Sequence, residues 1–369
     1  MEAVTQPRSA VRRRRSAPTI AVTGAAGTLG AGLVERLAQH PAAPKVVAID
    51  TVRRHQPGVT WRLADVRDPA LASRLEGIDT LVHLATDRST ATPTAERRAV
   101  NVRGTEVLLD AAVAAGVKRL VLLTSAMVYG ALAANPVPLD EDAPVLSEPP
   151  DGLVGDWVAM EQAAARRTTK DPSLELTVVR PASLLGPAPD ALLPGLFEAV
   201  RLFAIRDAHC HWQFCHADDL LDALVAAAFG EVVGAVTVGC DGWLTRAEVE
   251  SIAGMRSVVV RPAVAFATAD RLHRVGALAA APSDLHYLQY PWVVGSQQLR
   301  KTGWEPHWTN EAALREHLRL LGDRAGRSLL VVDRKDATRA AAGAAAGAGA
   351  TLAVIGSLAL ARARARRRR

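Results

Sequence analysis

The chain has 369 residues, 49% of them hydrophobic and 22% charged, which is enough to bury a full α/β core with a smaller second lobe. Its formal charge of +6 is concentrated at residues 12–15 and among the last eight positions, not over a folded face with interleaved aromatics. This distribution argues against a nucleic-acid-binding protein. Three cysteines without CxxC spacing indicate a reducing, cytoplasmic compartment.

Four segments follow from the composition. Residues 1–17 are predicted to be a flexible basic arm, 18–185 a dinucleotide-binding domain, 186–322 a smaller substrate lobe interleaved with the end of the sheet, and 323–369 an Ala/Gly-rich tail with an arginine-rich end. The apolar stretch after the first arginines is better explained as a strand and glycine loop than as a secretory signal. No internal repeat of solenoid period is present.

A glycine-rich turn near the N-terminus organises the first domain. Residues 19–23 predict a strand, and Gly24, Gly27 and Gly30 lead into helical periodicity over 31–37. Gly24 permits a tight turn, Gly27 lets the backbone approach a pyrophosphate, and Gly30 allows close contact between helix and strand. The phosphates would lie on the first N–H groups of the helix.

The second predicted strand ends in a carboxylate. Lys45–Asp50 is a β-branched run whose last residue comes twenty positions after Gly30. At this place Asp50 would accept hydrogen bonds from the 2′- and 3′-hydroxyls of a ribose and would repel a 2′-phosphate. The sequence therefore predicts NAD rather than NADP, a preference that Arg53 and Arg54 could soften.

The alternation of strands and helices continues to about residue 180. A third strand ends in the stretch 61–68, and further strands are predicted at 80–86, 119–125 and 174–180. Helices are predicted at 101–115 and 155–168, after which the pattern loosens into helices with short strands. The order predicts an α/β fold: a Rossmann-type, doubly wound parallel sheet with a small C-terminal substrate lobe.

The ordered motifs resemble one family, the extended short-chain dehydrogenase/reductases of the NAD-dependent epimerase/dehydratase type. The matching stretches are 23–30, 50, 65–66, 83–85, 101–105, 124–130, 180–181, 186–187, 214–219 and 303–306. Their joint order is more specific than any single motif. The resemblance implies an NAD-dependent epimerase, dehydratase or reductase that acts on a nucleotide-sugar-like or other hydroxyl substrate, and a homodimer formed by paired helices.

The resemblance also implies roles for individual residues. The positions that match the family's cofactor contacts are Gly24, Gly27, Thr28, Leu29, Gly30, Asp50, Asp65, Val66, Leu84, Ala85, Thr86 and Pro181. The first five would hold the pyrophosphate, the next three the adenosine, and the last four the nicotinamide side. Ser125 would contact the substrate hydroxyl. From the residues alone, Asp65 could instead cap a turn, and Ser125 could merely end a strand.

The acid–base pair of this family is missing. It is a Tyr-x-x-x-Lys pair in which the lysine lowers the pKa of the tyrosine and binds the nicotinamide ribose. Aligning Glu161-Gln162 with the family's usual Glu-Gln puts Leu153 at the tyrosine position and Trp157 at the lysine position. No tyrosine lies between residues 130 and 286, so the absence does not depend on this alignment. Asp156 would be ionised near neutral pH unless buried, and Tyr129 belongs to a turn.

Two functions therefore stay open. Loss of a general base lowers the reaction rate by ~10²–10⁴-fold but does not abolish NAD binding. One function that stays open is therefore an enzyme that uses an atypical base. The other is a non-catalytic, NAD-bound scaffold or sensor. A titratable side chain beside the nicotinamide would favour the enzyme, and an apolar wall of Leu153 and Trp157 would favour the scaffold.

Two further stretches have residue types that suggest other functions. His209, Cys210, His211, Cys215 and His216 contain metal-ligand types, but their spacing matches no closed zinc pattern, so buried thiols and structural histidines are expected and no metal. Residues 340–361 lack charges and are long enough to cross a ~30 Å hydrocarbon core, yet they are mostly Ala and Gly. Peripheral attachment to anionic lipid at the inner membrane face is the alternative to a disordered tail.

Overall fold

The computed structural model describes residues 17–329, except 91, 190–192, 276–277 and 279. Of residues 324–329 it describes only the backbone. The predicted basic arm up to residue 16 and the tail from residue 330, including 340–361, lie outside the described residues. In the part that is described, no helix combines the length and the apolar character needed to cross a bilayer.

The described chain contains eleven strands and ten α-helices. The strands are β1 Thr19–Thr23, β2 Lys45–Asp50, β3 Thr60–Leu63, β4 Thr80–His83, β5 Arg119–Leu123, β6 Glu175–Pro181, β7 Ser183–Leu185, β8 Leu202–Ile205, β9 Phe214–His216, β10 Gly234–Val238 and β11 Ser257–Val260. The helices are α1 Thr28–Ala38, α2 Leu71–Arg74, α3 Thr94–Arg98, α4 Gly104–Ala114, α5 Leu153–Lys170, α6 Ala217–Phe229, α7 Arg246–Ala253, α8 Pro262–Arg274, α9 Gln297–Arg300 and α10 Asn310–Leu329. A π-turn, Ala99–Arg103, joins α3 to α4, and 3₁₀ turns occupy Ala126–Tyr129, Pro194–Glu198 and Pro282–Leu288.

Seven strands form one parallel sheet in the order β10-β6-β5-β4-β1-β2-β3. This confirms the predicted doubly wound α/β fold. Strands β1, β2 and β4 are almost entirely buried because helices cover both faces of a sheet of this kind. The strand order reverses between β1 and β4, and ligands of such sheets bind at the carboxyl ends of the strands beside this reversal.

The segment after residue 186 contributes one strand to the main sheet and strands to two smaller sheets. Strand β10 pairs in parallel with β6, with Gly234 opposite Thr177 and Val238 opposite Pro181. Two small parallel pairs, β8 with β11 and β7 with β9, make the remaining sheets. The last helix, α10, packs on β9 and on α7.

Three predicted strands end earlier than expected: the third, the fourth and the strand predicted at 119–125, which ends at Leu123. The third strand stops at Leu63 because Asp65 Oδ1 accepts a hydrogen bond from the backbone N–H of Arg67 (2.8 Å) and turns the chain. The fourth stops at His83, where the hydroxyl of Thr23 accepts from the next two backbone N–H groups. The helical segment predicted at 101–115 begins earlier, at Thr94, because α3 and the π-turn lead directly into α4. The helix predicted at 155–168 also begins earlier, at Leu153.

Candidate functional site

The turn between β1 and α1 accepts only glycine at two of its positions. Gly24 has φ +68°, and a Cβ there would lie 2.7 Å from the carbonyl oxygen of Leu84. A Cβ on Gly30 would lie 2.1 Å from the carbonyl oxygen of Gly24. Gly27 precedes α1, and its carbonyl oxygen accepts a hydrogen bond from the N–H of Ala31 (2.8 Å). The N–H groups of the first helical turn, before Ala31, therefore have no acceptor within the helix. The turn is therefore shaped to receive an anion.

The carboxylate of Asp50 is fixed beside this turn. Its Oδ2 accepts a hydrogen bond from the backbone N–H of Ala26 (2.9 Å), and its Oδ1 accepts from that of Val52 (3.2 Å). The side chain is half-buried at the end of β2, with lone pairs left for a ligand hydroxyl. The carboxylate that the sequence analysis assigned to the adenosine ribose thus lies next to the glycine turn.

A groove of about 740 Å³ runs over the carboxyl ends of the strands. It is lined by eight of the predicted cofactor residues: Gly24, Gly27, Asp50, Asp65, Val66, Leu84, Ala85 and Thr86. The sheet order places the residues after β2 and β3 at one end, the glycine turn in the middle and the residues after β4 at the other end. The groove thus has the order of contacts that a dinucleotide requires.

The remaining predicted residues do not line the groove. Thr28, Leu29 and Gly30 form the first turn of α1 behind the glycine turn. Pro181 is buried at the end of β6. Ser125 is completely buried, and its Oγ accepts a hydrogen bond from the backbone N–H of Met127 (3.2 Å), so it caps the following 3₁₀ turn.

Asp65 has a partner of its own at the adenosine end of the groove. The guanidinium of Arg67 donates to Asp65 Oδ1 (2.9 Å) and Oδ2 (2.6 Å). This hydrogen bonding holds the pKa of Asp65 below its ordinary value. Asp65 therefore caps a turn, which is the alternative to adenosine binding that the sequence analysis left open. Its carboxylate also lines the groove.

A buried histidine braces the strand ends under the groove. His83 Nδ1 lies 2.8 Å from the hydroxyl of Thr23, and its Nε2 lies 3.2 Å from that of Thr105. Burial lowers the pKa of His83 to about 4, so the ring is neutral at physiological pH. His83 joins β1, β4 and α4 and has a structural role.

Helix α5 carries apolar side chains at the two positions that the sequence analysis aligned with the family's acid–base pair. Leu153 is 1% exposed and Trp157 is completely buried. The carboxylate of Asp156 is also completely buried, and it accepts hydrogen bonds from Arg97 Nε (2.7 Å), Asn101 Nδ2 (3.1 Å) and Arg98 Nη1 (3.3 Å). These donors occupy Asp156 in a structural network that ties α5 to α3 and the π-turn.

Three motif residues form a second buried network with Glu161 of α5. Arg180 pairs with Glu161, and its Nη1 donates to the hydroxyl oxygen of Tyr129 (2.8 Å). Thr124 donates to Glu161 Oε1 (2.6 Å). Burial raises the pKa of Tyr129, so this phenol stays protonated. The structural role expected for Tyr129 is the one that its contacts support.

The histidine and cysteine cluster has structural contacts. Cys210 Sγ donates to the backbone carbonyl of Tyr287 (3.3 Å), and the ring of His216 stacks on Trp308 at 3.7 Å. Burial raises the pKa of Cys210 and of Cys240 to about 12, which makes both thiols poor metal ligands. Within the described ranges, no three His, Cys, Asp or Glu side chains are grouped to hold a metal ion.

The structure adds two residues that the sequence analysis missed. Arg88 lines the groove after β4, and its guanidinium lies 5.3 Å from the ring centroid of Trp157. Asp284 lies against Gly152, the residue before α5, and burial raises its pKa to about 7. Arg88 follows the predicted contacts closely in sequence and could have been found by extending that stretch. Asp284 has no local signal, because only the tertiary fold brings it to α5.

Comparisons with known proteins agree with this geometry. The sequence model described as "NAD dependent epimerase/dehydratase family" matches residues 20–235. An uncharacterized protein of Mycobacterium tuberculosis is 29% identical over 315 residues, which cover 81% of this chain and 83% of that protein. The residues matched by the family model include the glycine turn, the groove and α5.

Solved structures share the fold at low sequence identity. A dTDP-glucose 4,6-dehydratase from Bacillus anthracis in complex with NAD superposes with a TM-score of 0.63 at 17% identity, covering 84% of this chain and 98% of that one. A UDP-glucose 4-epimerase from Thermus thermophilus in complex with NAD gives 0.62 at 20% identity, covering 82% and 99%. Both share the doubly wound fold of this chain.

The residues present fit the cofactor that the family's description names. Gly24 lets the turn that lines the groove pack against the Leu84 backbone, and Asp50 places a carboxylate where NADP would carry its extra phosphate. NAD is thus the cofactor that matches both the family and the groove. The family model matches more than half of the chain, and the fold agrees with that of the solved structures. The chain therefore belongs to the NAD-dependent epimerase/dehydratase family.

Proposed function

We propose that this chain binds NAD along the groove and retains it without the Tyr/Lys-dependent turnover typical of the family, as an NAD-bound scaffold or sensor. The observation that carries this proposal is the complete enclosure of Leu153 and Trp157 at the positions of the missing pair. When bound, NAD supplies a hydride acceptor, but proton transfer to and from a substrate hydroxyl has to come from the protein.

The order of contacts along the groove supports NAD as the ligand. The adenosine would lie over β2 and β3, with its ribose on Asp50, and the pyrophosphate would lie on the glycine turn. The nicotinamide half would then extend past Leu84–Thr86 after β4. Arg53 and Arg54 are exposed and do not line the groove, so they offer no built site for a 2′-phosphate.

The surroundings of α5 support the absence of ordinary turnover. Leu153 has no titratable group, and Trp157 cannot lower the pKa of a neighbouring phenol. Asp156 accepts from two arginines and an amide in a fully buried network. Ser125, which the resemblance assigns to the substrate, is enclosed under its own 3₁₀ turn. The groups that would exchange a proton with a substrate are thus either replaced or enclosed.

The test uses the full chain as purified. The protein is denatured and the released nucleotide is assayed, and the emptied, refolded protein is then titrated with NAD and NADP by calorimetry. We expect NAD binding that exceeds NADP binding by at least tenfold and that is lost in Asp50→Ala. Asp68→Ala, which removes an exposed carboxylate outside the groove, is the matched control. Binding of neither nucleotide to the wild type overturns the proposal.

One observation favours a second function, an oxidoreductase with an atypical base. Asp284 is half-buried beside the start of α5 and has a pKa of about 7, the value that suits a general base at neutral pH. The solved neighbours are named for dTDP-glucose and UDP-glucose, so the substrate would be a nucleotide sugar of this class.

This second function is tested on the holoprotein. The NAD-loaded chain is incubated with UDP-glucose and with dTDP-glucose, and the absorbance of reduced nicotinamide and the sugar products are followed. Products formed by the wild type and lost in Asp284→Asn establish the oxidoreductase and overturn the scaffold. The absence of sugar products from both sugars, together with a cofactor that stays oxidised in a protein that binds NAD, supports the scaffold.

A further inference from the structure

The cationic side chain Arg88 stands at the end of the groove where the family's lysine is missing. Its guanidinium lies over the ring of Trp157, with 5.3 Å between the guanidinium carbon and the ring centroid. Trp157 occupies the lysine position of α5 and is completely buried. A positive charge from another part of the chain therefore lies on the face of the residue that replaced the lysine.

The sheet order assigns this end of the groove to the nicotinamide half of the cofactor. Asp50 follows β2 on one side of the glycine turn, and Arg88 follows β4 on the other. A dinucleotide whose adenosine ribose is on Asp50 and whose pyrophosphate is on the turn has to place its second ribose near β4. The glycine turn thus lies between Arg88 and the end of the groove that would hold the adenosine.

The backbone that carries Arg88 is held from below. Asn101, which is completely buried, accepts the N–H of Asp87 (2.7 Å) and donates to its carbonyl oxygen (2.9 Å). The same Asn101 amide donates to Asp156. Asn101 therefore fixes the backbone next to Arg88, and Trp157 holds its guanidinium. Because the side chain is already ordered, less side-chain conformational entropy is lost when a ligand binds.

Arginine and tryptophan are the residue types that suit this arrangement. A guanidinium stacks on an aromatic face, most strongly on an indole, and offers planar N–H donors at its edge. Those donors match the oxygen acceptors of a ribose diol. The indole N–H of Trp157 has no acceptor within the described part of the chain, so the ring face and not the N–H makes the useful contact.

We infer that Arg88, supported on Trp157, is a cofactor-binding residue that contacts the nicotinamide ribose in place of the missing lysine. This inference rests on the proposed binding of NAD in the groove. It assigns to Arg88 the binding and orientation of the second ribose and no proton transfer. Trp157 is then a positioning residue that acts through Arg88.

The test compares NAD with ADP, which keeps both phosphates and the adenosine but lacks the second ribose. Calorimetric titration of the emptied full chain is expected to show that Arg88→Ala weakens NAD binding about tenfold to a hundredfold and leaves ADP binding within about twofold. Arg67→Ala is the matched control, because Arg67 lines the adenosine end of the same groove. It should leave the ratio of NAD to ADP affinity unchanged.

A second pair of variants tests the support. Trp157→Phe keeps an aromatic face and should keep most of the NAD affinity, whereas Trp157→Leu should reproduce the loss seen in Arg88→Ala. If Trp157→Leu does not fold, the Arg88 variant decides. Unchanged NAD affinity in Arg88→Ala, or an equal loss for ADP, overturns the inference while NAD binding stands. A wild type that binds neither nucleotide instead overturns the proposed function.

Discussion

The guanidinium of Arg180 donates to both carboxylate oxygens of Glu161, with Nε–Oε1 at 3.1 Å and Nη2–Oε2 at 2.6 Å. The two residues are 8% and 7% exposed and belong to β6 and α5. Removing one partner of such a pair leaves a buried charge that no other group compensates. This ion pair therefore holds α5 against β6 of the main sheet.

Arg180→Leu is expected to lower the free energy of unfolding by about 3–5 kcal/mol, because the Glu161 carboxylate remains buried without its cation. Urea unfolding followed by circular dichroism measures the change. The double variant Arg180→Leu with Glu161→Leu should recover part of the loss. A loss below about 1 kcal/mol in the single variant would show that the pair contributes little.

Gly24→Ala should abolish NAD binding and cost about 2–4 kcal/mol of stability, since its Cβ meets the Leu84 backbone at 2.7 Å and its φ is +68°. Gly58→Ala is the control: this glycine has φ +74° but no atom within 4 Å of a Cβ. It should cost about 1 kcal/mol and leave NAD binding intact. Calorimetry and urea unfolding of both variants check this, and equal effects would contradict it.

Trp157→Lys should not restore the family's lysine. The site is completely buried, so the substitution removes a large core side chain and places an ammonium in its volume, at a cost of about 3–5 kcal/mol or more. Thermal unfolding measures the loss. Ala165→Lys, an exposed site on the same helix, should be close to neutral. Unchanged stability of Trp157→Lys would show that this position is open to solvent.

Asp284→Asn should change how stability depends on pH. Burial raises the pKa of Asp284 from 3.8 to about 7, against smaller opposing effects of the Ala281 N–H and Arg97. A raised pKa means that the folded state holds the proton more tightly than the unfolded state. The contribution to stability is complete below about pH 4 and is lost as the pH rises through about 7.

The measurement is the free energy of unfolding of both proteins between about pH 4 and pH 8. The wild type should lose about 1–3 kcal/mol more than Asp284→Asn across this range, because only the wild type ionises at this site. Parallel curves for the two proteins would show that Asp284 titrates normally.

The fold was predictable where local pattern and tertiary burial agree. Strand β2 has the predicted bounds, Lys45–Asp50, because a continuous apolar run ends at a charged residue on each side. Strand β3 is shorter than predicted because the apolar residues near Asp65 continue past the hydrogen bond that turns the chain. Helix α5 begins at Leu153, earlier than its periodicity suggests, since Gly152 with φ +88° ends the loop there.

The site was predictable only in part. Gly24 and Asp50 are recognised from local spacing because the glycine turn and the carboxylate belong to one βαβ unit. The enclosure of Ser125, the stacking of Arg88 on Trp157 and the approach of Asp284 to α5 all depend on contacts between distant segments. No local spacing reports such contacts.

The pairing of β10 with β6 makes the two halves of the chain one folding unit. A fragment ending at residue 185 would lack β10 and expose the backbone N–H and C=O groups of β6, a strand of seven residues, along an open edge. Long open edges recruit strands from other molecules. Expression of the dinucleotide-binding segment alone should therefore yield aggregates, and domain exchange with relatives should move the junction beyond Val238.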